Sequence, residues 1–253
     1  MKDQVVLGGQ LISYSKFGQA GAGRQMVFLH GWRSSKEVWQ SMIKDLGLKL
    51  KDWEFFALDL PGFGQSPAPK SAWNVNDYAN LVGEFIQKLN LNNVTLVGHS
   101  FGGRAAIRLS ALRPNLVKKL VLLDAAGFAM EKNKKAAIKI AAKIVKPIFK
   151  PKFMQGLRKK IYQKIGAEDY LATPELQKTF INVVEEDLTE SLKRILQPTL
   201  IVFGENDADT PVATAEKMKG LVANSRLMVL KDAGHFSFLD QPAELIKVLS
   251  DFV

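Results

Sequence analysis

Ser100 stands between Gly98 and Gly102 in the run VGHSFGG, residues 97–103. A serine hydroxyl is a weak nucleophile at neutral pH unless a base takes its proton and a third group orients that base. Gly-x-Ser-x-Gly, with the apolar NNVTLV before it and the helix-compatible RAAIRLSALR after it, has the spacing of a nucleophile elbow. In such an elbow the serine occupies a sharp, strained strand-to-helix turn, and the residues two before and two after it crowd the backbone and must lack side chains. The spacing alone also fits an ordinary tight turn, so the nucleophile reading requires partners elsewhere in the chain.

The chain has three histidines. His99 lies inside the elbow, where its backbone position points its side chain away from that of Ser100. His30 ends the apolar run QMVFLH. His235, in KDAGHFSFLDQP after the last apolar run, is the one free to serve as the base. The orienting acid is expected at the end of a strand between serine and histidine in chain order. Two residues fit: Asp124, which ends LVLLD, and Asp207 in LIVFGENDADTP. Asp207 lies three residues past Gly204 and just before a helix that Pro211 can start, and is the expected acid. Asp124 is then a structural or alternative carboxylate, and Asp209 reads as an N-cap or turn residue.

Acyl transfer through Ser100 also needs donors where negative charge develops. The amide of Phe101, at a helix N-terminus, is one. The loop His30-Gly31-Trp32-Arg33 offers the second, because Gly31 permits close backbone approach and leaves the Trp32 amide as donor. Trp32, Phe128 and Phe236 are the expected substrate-binding side chains. No metal or cofactor is expected, and the absence of cysteine excludes disulfides, thiolate metal sites and a cysteine nucleophile.

These residues need a frame. At 253 residues and 47% apolar content the chain has the size of one large α/β domain. QVVLG and LISYSKF read as a hairpin through Gly8-Gly9. Strand candidates follow at 25–30, 53–59, 94–98, 116–124, 198–204 and 226–232, several of them apolar throughout, as strands buried on both faces should be. Helical patterns lie between them near 36–46, 76–90, 102–112, 211–221 and 241–252. That alternation predicts a mainly parallel sheet flanked by helices. The N-terminus carries Asp3 and no signal-like apolar region, and no stretch approaches the roughly 18 apolar residues of a membrane span, so a soluble, cytoplasmic protein is expected.

About 70 residues separate the strand ending at Leu123 from the one starting at Pro198, too many for a single crossover helix. They read as an inserted helical cap over 127–194. The net charge of +10 concentrates there: residues 131–164 hold twelve Lys and Arg against Glu131 alone. At about 100° per residue, Lys135, Lys139, Lys143, Lys146 and Lys150 fall in one narrow arc of a helix and apolar residues fill the rest. Such a ridge is either a solvated face or a docking surface for an anionic membrane or an acidic carrier protein. Nucleic acid is not expected, since no reader motif accompanies the charge.

LHGW, DLPGFGQS (59–66), VGHSFGG, FGEND with its later TP, and AGHFSFLDQP (233–242) resemble, in order, the landmarks of the α/β-hydrolase superfamily. The resemblance covers residues 1–126 and 195–253. It implies an eight-stranded sheet with an antiparallel second strand, a cap over the nucleophile, and the triad Ser100, Asp207 and His235. Serine at the elbow argues against the haloalkane dehalogenases and epoxide hydrolases, which place aspartate there. The chain looks like the small esterases, the serine haloperoxidase-like enzymes and the C–C bond hydrolases. HGWRSSKEVW, with less glycine than the C–C hydrolases often carry, favours an ester. The same segment resembles pimeloyl-acyl-carrier-protein methyl ester esterases. The expected activity is therefore hydrolysis of a small-molecule carboxylic ester through an acyl-enzyme. C–C bond or thioester hydrolysis, or a ligand sensor on the same fold, are the alternatives.

Overall fold

The computed structural model describes residues 2–130 and 168–253. Strands β1 (Lys2–Leu7) and β2 (Gln10–Gly18) form the hairpin across Gly8-Gly9. The others are β3 (Arg24–Leu29), β4 (Trp53–Leu58), β5 (Val94–His99), β6 (Lys119–Leu123), β7 (Thr199–Gly204) and β8 (Ser225–Leu230). They make one eight-stranded sheet in the order β1-β2-β4-β3-β5-β6-β7-β8. β2 is antiparallel to both of its neighbours and every other pair is parallel, as the motif order implies.

Every residue of β4, β5 and β7 is buried, which is what a sheet covered on both faces requires. Side chains alternate between the two layers. Val27 and Leu29 of β3 join the apolar cluster that also holds α2 (Val75–Lys88) and α3 (Phe101–Leu112). Met26 and Phe28 join the opposite cluster, with α1 (Gln40–Lys49) and the C-terminal helix Pro242–Phe252. Asn74 and Asp77 cap α2 reciprocally: Asn74 Oδ1 accepts from the Asp77 amide at 3.1 Å, and Asp77 Oδ2 accepts from the Asn74 amide at 2.8 Å.

The chain leaves β3 towards β4 on one side, crosses to β5 on the other, and then continues away to β6, β7 and β8. Loops that diverge in this way open a crevice at the carboxyl ends of β3 and β5. Residues 30–33 and Ser100 stand at those two ends.

Three boundaries differ from the sequence pattern. The helix expected at 36–46 opens as a 3₁₀ turn, Lys36–Trp39, because Asp59 captures both the amide and the ammonium of Lys36. β6 starts at Lys119 rather than 116, since Pro114–Leu116 form a 3₁₀ turn. A short helix, Ser237–Asp240, precedes the C-terminal one.

Within the expected insertion the described residues form α4 (Glu168–Ala172), a 3₁₀ turn (Pro174–Leu176), α5 (Gln177–Glu185) and α6 (Thr189–Lys193). The remaining helices are α7 (Val212–Leu221), α8 (Ser237–Asp240) and α9 (Pro242–Phe252). Arg104, buried on α3, ties the segment down by donating to the carbonyls of Glu186 at 2.8 Å and Phe128 at 2.6 Å. Glu186 in turn pairs with Arg108 and accepts from the Val75 amide at 3.2 Å. The lysine ridge 135–150 and the whole basic stretch 131–164 lie outside the described residues. Among the described residues no helix is long and apolar enough to cross a membrane.

Candidate active site

Ser100 follows β5 directly, with φ 50° and ψ −113°, a conformation that non-glycine residues rarely adopt. Neighbouring strands hold it there. Its amide donates to the Leu123 carbonyl at 3.1 Å, and its carbonyl accepts from Gly103 at 3.0 Å and Ala126 at 3.1 Å. The glycines have the steric task expected of them. A Cβ on Gly98 would lie 2.7 Å from the Gly102 carbonyl oxygen, and one on Gly102 would lie 2.7 Å from that of His30.

His235, in the loop between β8 and α8, reaches Ser100 Oγ with Nε2 at 3.0 Å. Its Nδ1 faces Asp207 Oδ2 at 2.9 Å. Since the carboxylate only accepts, Nδ1 carries the proton and Nε2 is left basic towards the serine. The Asp207 side chain is fully buried in the loop between β7 and α7. Its Oδ1 accepts the amides of Asp209 at 2.8 Å and Thr210 at 2.9 Å. The Thr210 hydroxyl lies 2.6 Å from Asp207 Oδ2 and 3.0 Å from the Asp124 carbonyl oxygen, so one proton serves two acceptors. Burial pushes the Asp207 carboxyl up, but the hydrogen bonds from His235 and Thr210 outweigh it and hold the group below its ordinary range. Burial likewise pulls His235 down, and its bond to Asp207 with the nearby carboxylate charges carries it above its ordinary value.

The other candidates have other work. Asp124, fully buried at the end of β6, does not touch the His235 ring. Its Oδ1 accepts the Gly204 amide at 2.8 Å, and its Oδ2 accepts the Ser237 hydroxyl at 2.6 Å and amide at 3.2 Å. Burial pushes its carboxyl up to about 7. Asp209 is an exposed turn residue. His30 Nε2 accepts the Leu60 amide at 3.0 Å, which leaves Nδ1 to donate to the Gly31 carbonyl at 2.7 Å. His99 is bonded elsewhere: its Nε2 lies 2.8 Å from the carbonyl oxygen of His235. The partner is 136 residues away in sequence, which is why no local signal marked it.

Among the described residues, the amides of Phe101 and Trp32 donate to no protein acceptor. A Cβ on Gly31 would lie 3.3 Å from Ser100 Cβ, which shows how closely that loop approaches Ser100. The Trp32 ring meets Phe63, Phe101 and Phe180 edge-on at 4.9, 5.0 and 5.2 Å, and its buried indole nitrogen has no partner among the described residues. Phe236 is 41% exposed, with its ring 5.6 Å from that of His235. Phe128 packs against the core below Lys217, whose ammonium lies 3.8 Å from the ring centre.

Donor atoms of Asp207, Asp209 and His235 come within 4.8 Å of one another. Both Asp207 oxygens already accept hydrogen bonds and the His235 Nδ1 proton points at one of them, so these residues form a hydrogen-bonded relay and do not fit a cation without losing it.

A sequence model described as the alpha/beta hydrolase family matches residues 26–248. The chain is similar to the AB hydrolase superfamily protein YisY of Bacillus subtilis (strain 168), 29% identical over 92% of each chain. It is 27% identical to the monoacylglycerol lipase ABHD6 of Bos taurus over 95% of this chain and 78% of that one. Among solved structures it is similar to the esterase EaEST from Exiguobacterium antarcticum, with a TM-score of 0.79 and 26% identity over 100% of this chain and 99% of that chain.

Proposed function

Because the chain belongs to the alpha/beta hydrolase family, we propose that this hydrolase cleaves carboxylic esters through an acyl-enzyme on Ser100. The observation that carries this reading is the continuous hydrogen-bonded line from Ser100 Oγ through His235 to Asp207. Similarity to an esterase and to a monoacylglycerol lipase supports an ester as the substrate.

His235 Nε2 takes the hydroxyl proton as Ser100 Oγ attacks the ester carbonyl carbon. Asp207, already ionised, stabilises the imidazolium and fixes the tautomer without accepting the proton itself. The developing oxyanion finds the unengaged amides of Phe101 and Trp32, the first at the positive end of α3. His235 then returns the proton to the leaving alkoxide and an alcohol departs. Water, deprotonated by the same nitrogen, attacks the acyl-enzyme and releases the acid. Trp32, Phe236 and Phe128 are proposed as side chains that contact the substrate, Trp32 being the one whose amide and ring both belong to the site.

Purified Ser100→Ala is expected to lose p-nitrophenyl acetate hydrolysis by about 10⁴-fold or more, since members of a triad act as a unit. Undiminished turnover by that variant overturns the proposal.

A further inference from the structure

Asp124 adopts φ 44°, so two non-glycine residues with positive φ, Ser100 and Asp124, directly follow the adjacent parallel strands β5 and β6. Both ends of the elbow are bonded to residues flanking Asp124: Ser100 donates to Leu123 and accepts from Ala126. The Asp124 amide donates to the Val202 carbonyl on β7 at 2.9 Å. Its Oδ1 takes the amide of Gly204, from which the Asp207 loop departs, and its Oδ2 takes both donors of Ser237, two residues past His235. Its carbonyl oxygen receives Thr210, the residue that also bonds Asp207. One buried side chain thus reaches the loops of both remaining triad members, 80 and 113 residues away.

We propose that Asp124 is a positioning residue for the triad: its carboxylate fastens the Asp207 loop and the His235 loop to the strand end that carries Ser100. The proposal rests on the serine hydrolase reading above. A carboxylate withdrawn from water is costly, and an apolar side chain would fill the space at lower cost, but it could not gather three donors from two separate loops. Registry is what the carboxylate supplies. A displacement of about 1 Å between reacting groups costs on the order of 10²-fold in rate. Where it is ionised, above about pH 7, Asp124 also adds its charge to those that raise His235, so its removal lowers the pKa of the base as well as loosening its loop.

The test uses Asp124→Asn, Ser237→Ala and the double variant, assayed for kcat and KM on p-nitrophenyl acetate across pH, with thermal melts and circular dichroism alongside. Asp124→Asn is expected to lower kcat by about 10²-fold, with KM within about twofold and the acid limb of kcat/KM at lower pH. Ser237→Ala is expected to lower kcat by about 3- to 10-fold, and the double variant to be no slower than Asp124→Asn alone, because both changes cut one connection. An unchanged kcat in folded Asp124→Asn overturns the proposal. So does a double-variant loss equal to the product of the single losses. If Asp124→Asn does not fold, Ser237→Ala decides: full kcat overturns the proposal, while a reduced kcat with an unchanged melt upholds it. Ser100→Ala runs in parallel. If it retains turnover, the triad reading fails and the positioning role falls with it; if it is inactive while Asp124→Asn is fully active, only the positioning role fails.

Discussion

His99 Nε2 lies 2.8 Å from the carbonyl oxygen of His235, so the residue before Ser100 holds the backbone of His235. A carbonyl only accepts, which puts the His99 proton on Nε2 and leaves its buried Nδ1 bare, without a partner among the described residues. Trp39, Phe236 and Phe238 surround the ring. His99→Phe fits that aromatic surrounding but cannot donate. It is expected to keep its circular dichroism and lower kcat on p-nitrophenyl acetate by about 10-fold, the order of a lost hydrogen bond of about 1.4 kcal/mol. Wild-type kcat in this variant would show that the His235 loop stands without it.

The rate should follow the neutral form of His235. The Asp207 carboxylate carries that histidine above its ordinary 6.5, so kcat/KM is expected to fall as pH drops through a value above 6.5 and to level off at higher pH. Asp207→Asn removes the charge and the hydrogen-bond acceptor together. Its acid limb is expected at lower pH than wild type and its kcat lower by about 10⁴-fold, since the amide can present the wrong group to Nδ1. A pH profile that does not move in Asp207→Asn would contradict the assignment of that carboxylate.

The proposed triad residues stood out in the sequence because an elbow and its partners obey local constraints. The elbow needs glycines at fixed offsets, and strand–loop–helix order limits where an acid and a base can stand. His99, Asp124 and Lys36 were legible only as types. The partners of Asp124 lie 80 and 113 residues away, and nothing in LVLLD says that its carboxylate will meet Gly204 and Ser237. Lys36 begins the helical pattern near 36–46, and nothing in that pattern marks an ammonium fully buried against Asp59. Strand identity followed from apolar runs. Strand order, with β3 between β4 and β5, followed from crossovers that periodicity does not encode.

Stability should fall in mild acid through the two buried histidines. Burial lowers His30 to about 4 and His99 to about 3, against about 6.5 in the unfolded chain. The folded state therefore binds fewer protons below 6.5, and the stability present above that pH is lost as pH falls towards the folded values. Each histidine contributes a slope of about 1.4 kcal/mol per pH unit. Asp124, pushed up to about 7 by burial, acts in the opposite sense between its folded and unfolded values and offsets one histidine. A net loss of about 1.4 kcal/mol per unit is expected from about pH 6 to about pH 4.5. In His99→Phe the remaining histidine and Asp124 oppose each other, so its melting temperature is expected to be nearly flat over that range. Equal slopes for variant and wild type would exclude His99 as the group responsible.

The Lys36–Asp59 pair joins the loop that carries Trp32 to the end of β4. The ammonium lies 2.5 Å from Asp59 Oδ2, with both side chains fully buried, and Asp59 also accepts the amides of Lys36 at 2.7 Å and Gln65 at 2.9 Å. Leu60, the next residue, donates to His30, so this pair also braces the start of the loop that carries Trp32. Lys36→Met keeps the length of the side chain and the backbone amide but strands the Asp59 charge away from water. Breaking a buried pair from one side costs about 3–5 kcal/mol, far more than an exposed pair contributes. At about 2–4 °C per kcal/mol for a chain of this size, the melting temperature is expected to fall by roughly 6–20 °C. Adding Asp59→Asn removes the stranded charge and should recover part of that loss, because the amide oxygen still accepts one of the two backbone donors. A Lys36→Met melt within about 2 °C of wild type would mean that the carboxylate is satisfied without the lysine.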